Sequence, residues 1–413
     1  MTSSALPKPH AVVVTEQVRP GGKLSHVESL CAGLELIGWR ASLLRWCDLS
    51  LLERAWVALP GHALNRFDAV FGHRWQIPQY TAILERRLRD LVRREGRPTV
   101  LSLQETYVVP AARKAMPGVP IVLTAHGPWH REVASGYGVS LDHPVIRWIR
   151  SIEQSAYLDA DAVVSVDRAH AEYVREFGRK DRIWVIPNAV DTRRFRPDWP
   201  GAPFPSEIET WIRGRPILFC ARVLVPKNGV NVAVDAARLL RDRGVEFVLL
   251  IAGYGPQRNE LDSQVLAGGL EDHVRFLGAV TTDQMPGWCA RASVAIVPSV
   301  PSKGVEEATS ISAIEGQACG KPVVASDLGG LREVITDEIN GLLTPPGDAG
   351  SLADAVQRLL SNRSQAKRLG EAGAANVRSS HSLEAWTRRF EEVFHAAGSQ
   401  MTGSPAGVPA RFA

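Results

Sequence analysis

The sequence predicts two doubly wound α/β domains in tandem, and three observations carry that expectation. Short apolar, β-branched runs alternate with helical stretches along almost the whole chain. The alternation breaks once, in a proline-dense stretch, and then restarts. At 413 residues the chain also exceeds the size at which a single hydrophobic core keeps growing.

Residues 11–15 (AVVVT) form the first strand signal, followed by a loop ending in Gly21 and Gly22 and a helical pattern over 24–37 that Gly38 stops. Strands are then expected at 41–45, 69–71, 100–103, 121–124, 162–166 and 184–186. Continuous apolar runs, rather than strict alternation, mark strands of a parallel sheet covered on both faces. Residues 196–216 carry Pro197, Pro200, Pro203, Pro205 and Pro216 and read as an interdomain linker. Strand signals resume at 217–220, 247–251, 274–277, 294–297, 323–325 and 341–343, with helical stretches such as 232–243 and 352–360 between them. The expected boundaries are 1–200, 201–380, a helix within 381–399 and a flexible tail over 400–413. Two such domains facing each other place a cleft at the carboxyl ends of both sheets, where ligands of these sheets bind.

Composition narrows the function classes. Hydrophobic residues make up 45% and charged residues 22%, values of a packed globular protein. A formal charge of +4 gives no reason to expect nucleic acid. No run approaches the roughly 18 apolar residues of a membrane span, and residues 1–10 lack a secretory leader pattern, so the expected location is cytoplasmic. Five cysteines without C-x-x-C spacing predict no metal or redox centre.

The densest cluster of chemistry lies at 307–326. Glu307 and Glu315 bracket seven residues, and Glu315 is expected to open a helix that ends at Gly320, ahead of the strand 323–325. Glu307 and Ser310 fall in the loop and first turn, where a helix N-terminus would present free N–H groups to a phosphate. Arg222 and Lys227 follow the first strand of the second half and should reach the cleft. Arginine offers a planar fork for phosphate oxygens and lysine a compact charge. In the first half Gly21 and Gly22 allow close backbone approach beside Lys23 and His26, while His126 ends a strand just before Trp129.

Taken in order, these segments resemble the retaining glycosyltransferases of family 4, which have the two-domain GT-B fold. The likeness rests on E-x7-E followed by GKPVVAS over 307–326, the basic loop 221–229, Gly253-Tyr-Gly255-Pro, the strand 274–278 (VRFLG), 185–191 (VIPNAVD) and 124–127 (TAHG). It covers most of the chain. The resemblance implies transfer of a hexosyl unit (glucosyl, N-acetylglucosaminyl or mannosyl) from a nucleotide-diphosphate sugar, with UDP favoured over GDP, to a glycan, lipid or small-metabolite hydroxyl. It implies His126 and Glu307 as catalytic residues beside the transferred sugar. Arg222, Lys227, Gly22, Ser310 and Ile311 would hold the donor diphosphate, and Glu315, Gly253 and Leu277 the nucleoside. Gly21, Lys23, His26 and Trp129 would lie on the acceptor side. Cations and a helix N-terminus would do the work of a metal, so neither metal nor other cofactor is expected. The final helix would pack back on the first domain.

The chain also departs from the family pattern. Ala308-Thr309-Ser310 replaces the usual G-F-G after the first glutamate, and Asn228 stands where a glycine is common. Asp159-Ala-Asp161 has the form of a metal-binding D-x-D but sits at a helix-to-strand junction, a structural position. Arg86, Arg87, Arg89, Arg93 and Arg94 give the stretch 82–94 a basic face, which leaves peripheral contact with anionic lipid open although a solvated face is the simpler reading. A nucleotide-sugar epimerase and a degenerate transferase-like scaffold share this architecture. The state is monomer or homodimer.

Overall fold

The computed structural model describes residues 8–16, 22–199, 204–301 and 309–399. The chain divides into two compact units. One comprises Met1–Arg19, Leu30–Ile186 and Trp386–Ala413, the other Pro20–Ser29 and Pro187–Ala385.

The first unit carries the strands β1 (His10–Thr15), β2 (Arg40–Arg45), β3 (Val100–Leu103), β4 (Ile121–Ala125), β5 (Ala162–Ser165) and β6 (Ile183–Val185). They form one parallel sheet in the order β2-β1-β3-β4-β5-β6. Strand order therefore reverses at the β1/β3 pair, where a crevice opens outside the carboxyl ends. All of β1, β3, β4 and β5 is buried, as the unbroken apolar runs predict. The stretch 69–71, expected as a strand, is instead a turn into the helix Gly72–Glu95. Asp68 Oδ1 accepts the Val70 N–H at 3.0 Å and Asn65 Oδ1 the Gly72 N–H. Local Asx bonding thus outcompetes sheet pairing there.

The second unit carries β7 (Ile217–Ala221), β8 (Val248–Ala252), β9 (Val274–Gly278), β10 (Val294–Val297), β11 (Val323–Ser326) and β12 (Leu342–Thr344), again all parallel, in the order β12-β11-β10-β7-β8-β9. That is the dinucleotide-binding order, with its reversal between β7 and β10. Alternation divides each strand between two cores. Ile217, Phe219, Ala295 and Val297 enter one, and Leu218, Cys220, Val294 and Ile296 the other. The fold class expected from sequence is the one found, two doubly wound α/β units.

The proline-dense stretch is not a loose connector. Phe204 stacks on Trp288 with ring centroids 3.8 Å apart, and Ile208 and Ile212 of the helix Ser206–Ile212 join the same core. The chain leaves the first unit earlier, at Ile186. The Val190 N–H already donates to His381 O at 3.1 Å, and Phe195 lies in the second unit's core. At the other end the helix Leu383–Gly398 buries Trp386, Phe390 and Phe394, one turn apart. Trp39 packs on Phe394 and donates its indole N–H to Glu391 at 2.8 Å. Among the described residues no helix is long and apolar enough to cross a membrane.

Candidate functional site

The strand-order reversal of the second unit is built around one guanidinium. Arg222 follows β7 directly and extends the ladder through its N–H to Ala252 O at 2.8 Å. Its side chain turns across the reversal to β10 and is 8% exposed. Nη1 donates to Ser310 Oγ at 2.9 Å, while Nη2 donates to Ser299 Oγ at 2.9 Å and Asn228 Oδ1 at 2.6 Å. Asn228 is itself fixed by donating to Val223 O at 2.7 Å. Oxygens from three loops fix the plane of the guanidinium.

Two glycines let these loops close on one another. At Gly229, with φ +61°, a Cβ would sit 1.8 Å from Pro298 O, and at Gly253 it would sit 1.8 Å from Arg222 O. Gly253 is pinned from the other side by donating to Gly278 O at 2.8 Å, so it supports the arginine loop through its backbone. Leu277, beside it on β9, packs against the apolar core. Lys227 is half-buried in the single turn Pro226–Asn228, and its carbonyl accepts the Val300 N–H at 2.8 Å. Its ammonium makes no ion pair with a described residue.

The helix after this loop spans Ile311–Ala318, with Ser310 as N-cap. It does not open at Glu315, as the sequence reading has it. Ser310 takes extended backbone angles, and its hydroxyl is committed to Arg222, so the helix begins one residue later. Ile311 and Ser312 thus have first-turn N–H groups, which lack intrahelical acceptors. Ser312 Oγ donates to Ala221 O at 2.9 Å, tying this turn to the end of β7. Glu315 lies one helical turn further in, half-buried. Protein packed around its carboxyl pushes its pKa up to about 8, against a lowering by the Arg194 charge. Glu307 and Gly21 lie outside the described residues.

Gly22 begins the helix Gly22–Leu36, which also carries Lys23 and His26. His26 is buried at 2% exposure, and burial lowers its pKa to about 4. The neutral ring donates Nδ1–H to Asn188 Oδ1 at 2.8 Å, and Asn188 Nδ2 donates to Thr309 O at 2.9 Å. His26 is therefore linked through Asn188 to the residue before Ser310. In the first unit His126, just past β4, donates Nε2–H to Gln104 Oε1 at 2.7 Å, beyond the end of β3. Trp129 is held by Glu153, a carboxylate with no exposed surface. Its two oxygens accept the Trp129 and His130 N–H groups at 2.9 and 3.0 Å, and the His130 Nδ1–H at 2.7 Å.

The Asp159-Ala-Asp161 carboxylates serve the sheet. Arg113 spans both, and Asp161 Oδ2 also accepts the N–H of Ile121 at the start of β4. The arginine-rich helix face is similarly engaged. Arg86 and Arg87 pair with Glu53, Arg89 with Glu85 and Arg93 with Asp90. Asn228, Ser299, Asn188 and Glu153 escaped the sequence reading as site residues. The only signal for the first was its substitution for a common glycine.

Two family profiles match successive parts of the chain. "Glycosyltransferase Family 4" covers residues 20–194, and "Glycosyl transferases group 1" covers residues 206–376. The chain belongs to the group 1, family 4 glycosyltransferases. Among curated members, it is 32% identical over 246 residues to a GDP-mannose-dependent alpha-(1-6)-phosphatidylinositol monomannoside mannosyltransferase of Mycobacterium tuberculosis, a match covering 59% of this chain and 64% of that one. It is 29% identical to the 2-deoxystreptamine glucosyltransferase of Streptomyces kanamyceticus, over 53% of this chain and 56% of the relative. The chain thus matches less than two thirds of the length of these relatives. Among solved structures, sucrose-phosphate synthase of Thermosynechococcus elongatus superimposes with a TM-score of 0.72 at 19% identity, covering 95% of this chain and 100% of that one. This likeness supports the two-domain GT-B fold.

Proposed function

We propose that this protein transfers a mannosyl unit from GDP-mannose, with retention at the anomeric carbon and without a metal ion, to a hydroxyl of an acceptor that carries a polyhydroxylated ring. The observation that carries the reading is Arg222, fixed at the β7/β10 reversal beside the N-terminus of the helix Ile311–Ala318. Departure of a nucleoside diphosphate concentrates negative charge on its phosphates. A preorganised guanidinium, the Lys227 ammonium and first-turn N–H groups suit that charge without a divalent cation. Glu315 would accept from the ribose hydroxyls and Glu307 would face the transferred sugar. With no side-chain base assigned, the leaving phosphate would take the acceptor proton.

The mycobacterial relative names GDP-mannose, which favours GDP over the UDP linkage expected from sequence. The same relative acts on a phosphatidylinositol mannoside and the Streptomyces one on 2-deoxystreptamine, and both acceptors contain a hydroxylated six-membered ring. Titration calorimetry with GDP and UDP in excess EDTA tests the donor half of this reading. Expected is binding of GDP in EDTA, about tenfold tighter than UDP. Binding of neither nucleotide, or binding only on adding magnesium or manganese, would overturn it.

A further inference from the structure

Asn188 lies in the segment 185–191 (VIPNAVD), just past β6, where the chain enters the second unit. Its side chain is buried, and both ends of its amide are bonded. Nδ2 donates to Thr309 O at 2.9 Å, and Oδ1 accepts the His26 Nδ1–H at 2.8 Å. The direction of this chain of bonds is forced from one end. A carbonyl only accepts, so Thr309 O requires the amide NH₂ group, which turns Oδ1 toward His26 and requires a proton on the Nδ1 of that ring.

The backbone around Asn188 is held without this amide. The Asn188 carbonyl accepts the His381 Nδ1–H at 2.9 Å, and the Val190 N–H donates to His381 O at 3.1 Å. Both bonds use backbone atoms of the segment and survive any change of side chain at 188. What the amide alone fixes is the peptide between Thr309 and Ser310.

In a trans peptide the carbonyl and the following N–H point in opposite directions. The bond to Thr309 O therefore sets the direction of the Ser310 N–H. The rest of Ser310 is fixed independently. Its hydroxyl accepts from Arg222 Nη1 at 2.9 Å, and its carbonyl accepts the Ala313 and Ile314 N–H groups at 3.2 and 3.3 Å. No described residue accepts the N–H of Ser310, Ile311 or Ser312. Three adjacent N–H groups of set direction, beside a guanidinium and at a helix N-terminus, suit the oxygens of a phosphate.

We propose that Asn188 is a positioning residue of the diphosphate site: through the Thr309 carbonyl it aims the Ser310 N–H, and the helix turn behind it, at the phosphate oxygens of the nucleotide. The inference rests on the transferase reading above and adds to it a residue that acts on the ligand only through its neighbour.

The test is ligand-observed NMR binding on the full chain with two probes, GDP and guanosine, the second lacking the phosphates. Asn188→Ala should weaken GDP about ten- to hundredfold, the loss of one well-aimed hydrogen bond to a charged group, while guanosine affinity stays within about twofold. Asn188→Asp is nearly isosteric and keeps an acceptor for His26, but it turns an oxygen toward the Thr309 carbonyl. It should lose GDP affinity at least as far and spare guanosine equally. Thermal melts establish that the variants fold, as the backbone bonds to His381 predict. A purely structural role would lower both affinities together, since it has no preference for phosphate. Unchanged GDP affinity in a folded variant, equal losses for GDP and guanosine, or failure of both variants to fold would overturn the proposal. A wild-type chain that binds no GDP would overturn the donor reading, and this inference with it.

Discussion

Arg222→Ala is expected to lower kcat/KM for sugar transfer by about 10³-fold. Removing one preorganised donor from a site of developing negative charge costs about 2.7–4 kcal/mol in the transition state, and this side chain is charged as well. Most of the loss should appear in kcat, because charge on the phosphates grows as the glycosidic bond breaks. Arg222→Lys should recover little. An ammonium keeps the charge, but it lacks the fork that reaches Ser299, Asn228 and Ser310 together. Steady-state kinetics with both variants, alongside thermal melts to confirm folding, checks this. Folded variants with near-normal kcat would remove Arg222 from the diphosphate site.

Glu315→Gln should stabilise the free protein at alkaline pH while impairing donor binding. The folded pKa of about 8 lies above the ordinary 4.5. Between those values the folded state holds a proton that the unfolded state has lost, so stability falls as pH rises through this window. A glutamine has no proton to lose. The variant should match wild type near pH 4 and exceed it at pH 9 by ~3 kcal/mol, allowing for the water that reaches a half-buried carboxyl. Above pH 8, where the carboxyl is ionised, its donor KM should rise about 10–100-fold, as a charged acceptor for the ribose is lost. Melting curves at both pH values and donor titrations measure the two effects. A variant less stable than wild type at pH 9 would contradict the electrostatics of this carboxyl.

What the sequence made legible follows from local signals. The parallel strands announce themselves as continuous apolar runs, and Arg222 and Lys227 as cations directly after one of them. The stretch 69–71 misleads because three apolar residues carry too little pattern to reveal the Asx bonds from Asn65 and Asp68 that bend it. The proline-rich stretch misleads because composition does not disclose that Phe204 finds Trp288, 84 positions along the chain. Asn228, Ser299 and Ser310 converge on one guanidinium only through the β7/β10 reversal, a tertiary fact with no sequence periodicity. Trp46, Tyr80, Tyr107 and Trp129 have the same origin, being far apart in sequence and meeting ring against ring only in the folded first unit.

The most direct measurement is a proton NMR time course with GDP-mannose and myo-inositol in excess EDTA, following the anomeric signals of donor and product. Metal-independent retaining transfer predicts that the donor signal decays only when acceptor is present. GDP should appear in equal amount to product, and the first anomeric resonance formed should carry the same α configuration as the donor. A β-configured product, decay without acceptor, or turnover that starts only when magnesium or manganese is added would contradict it.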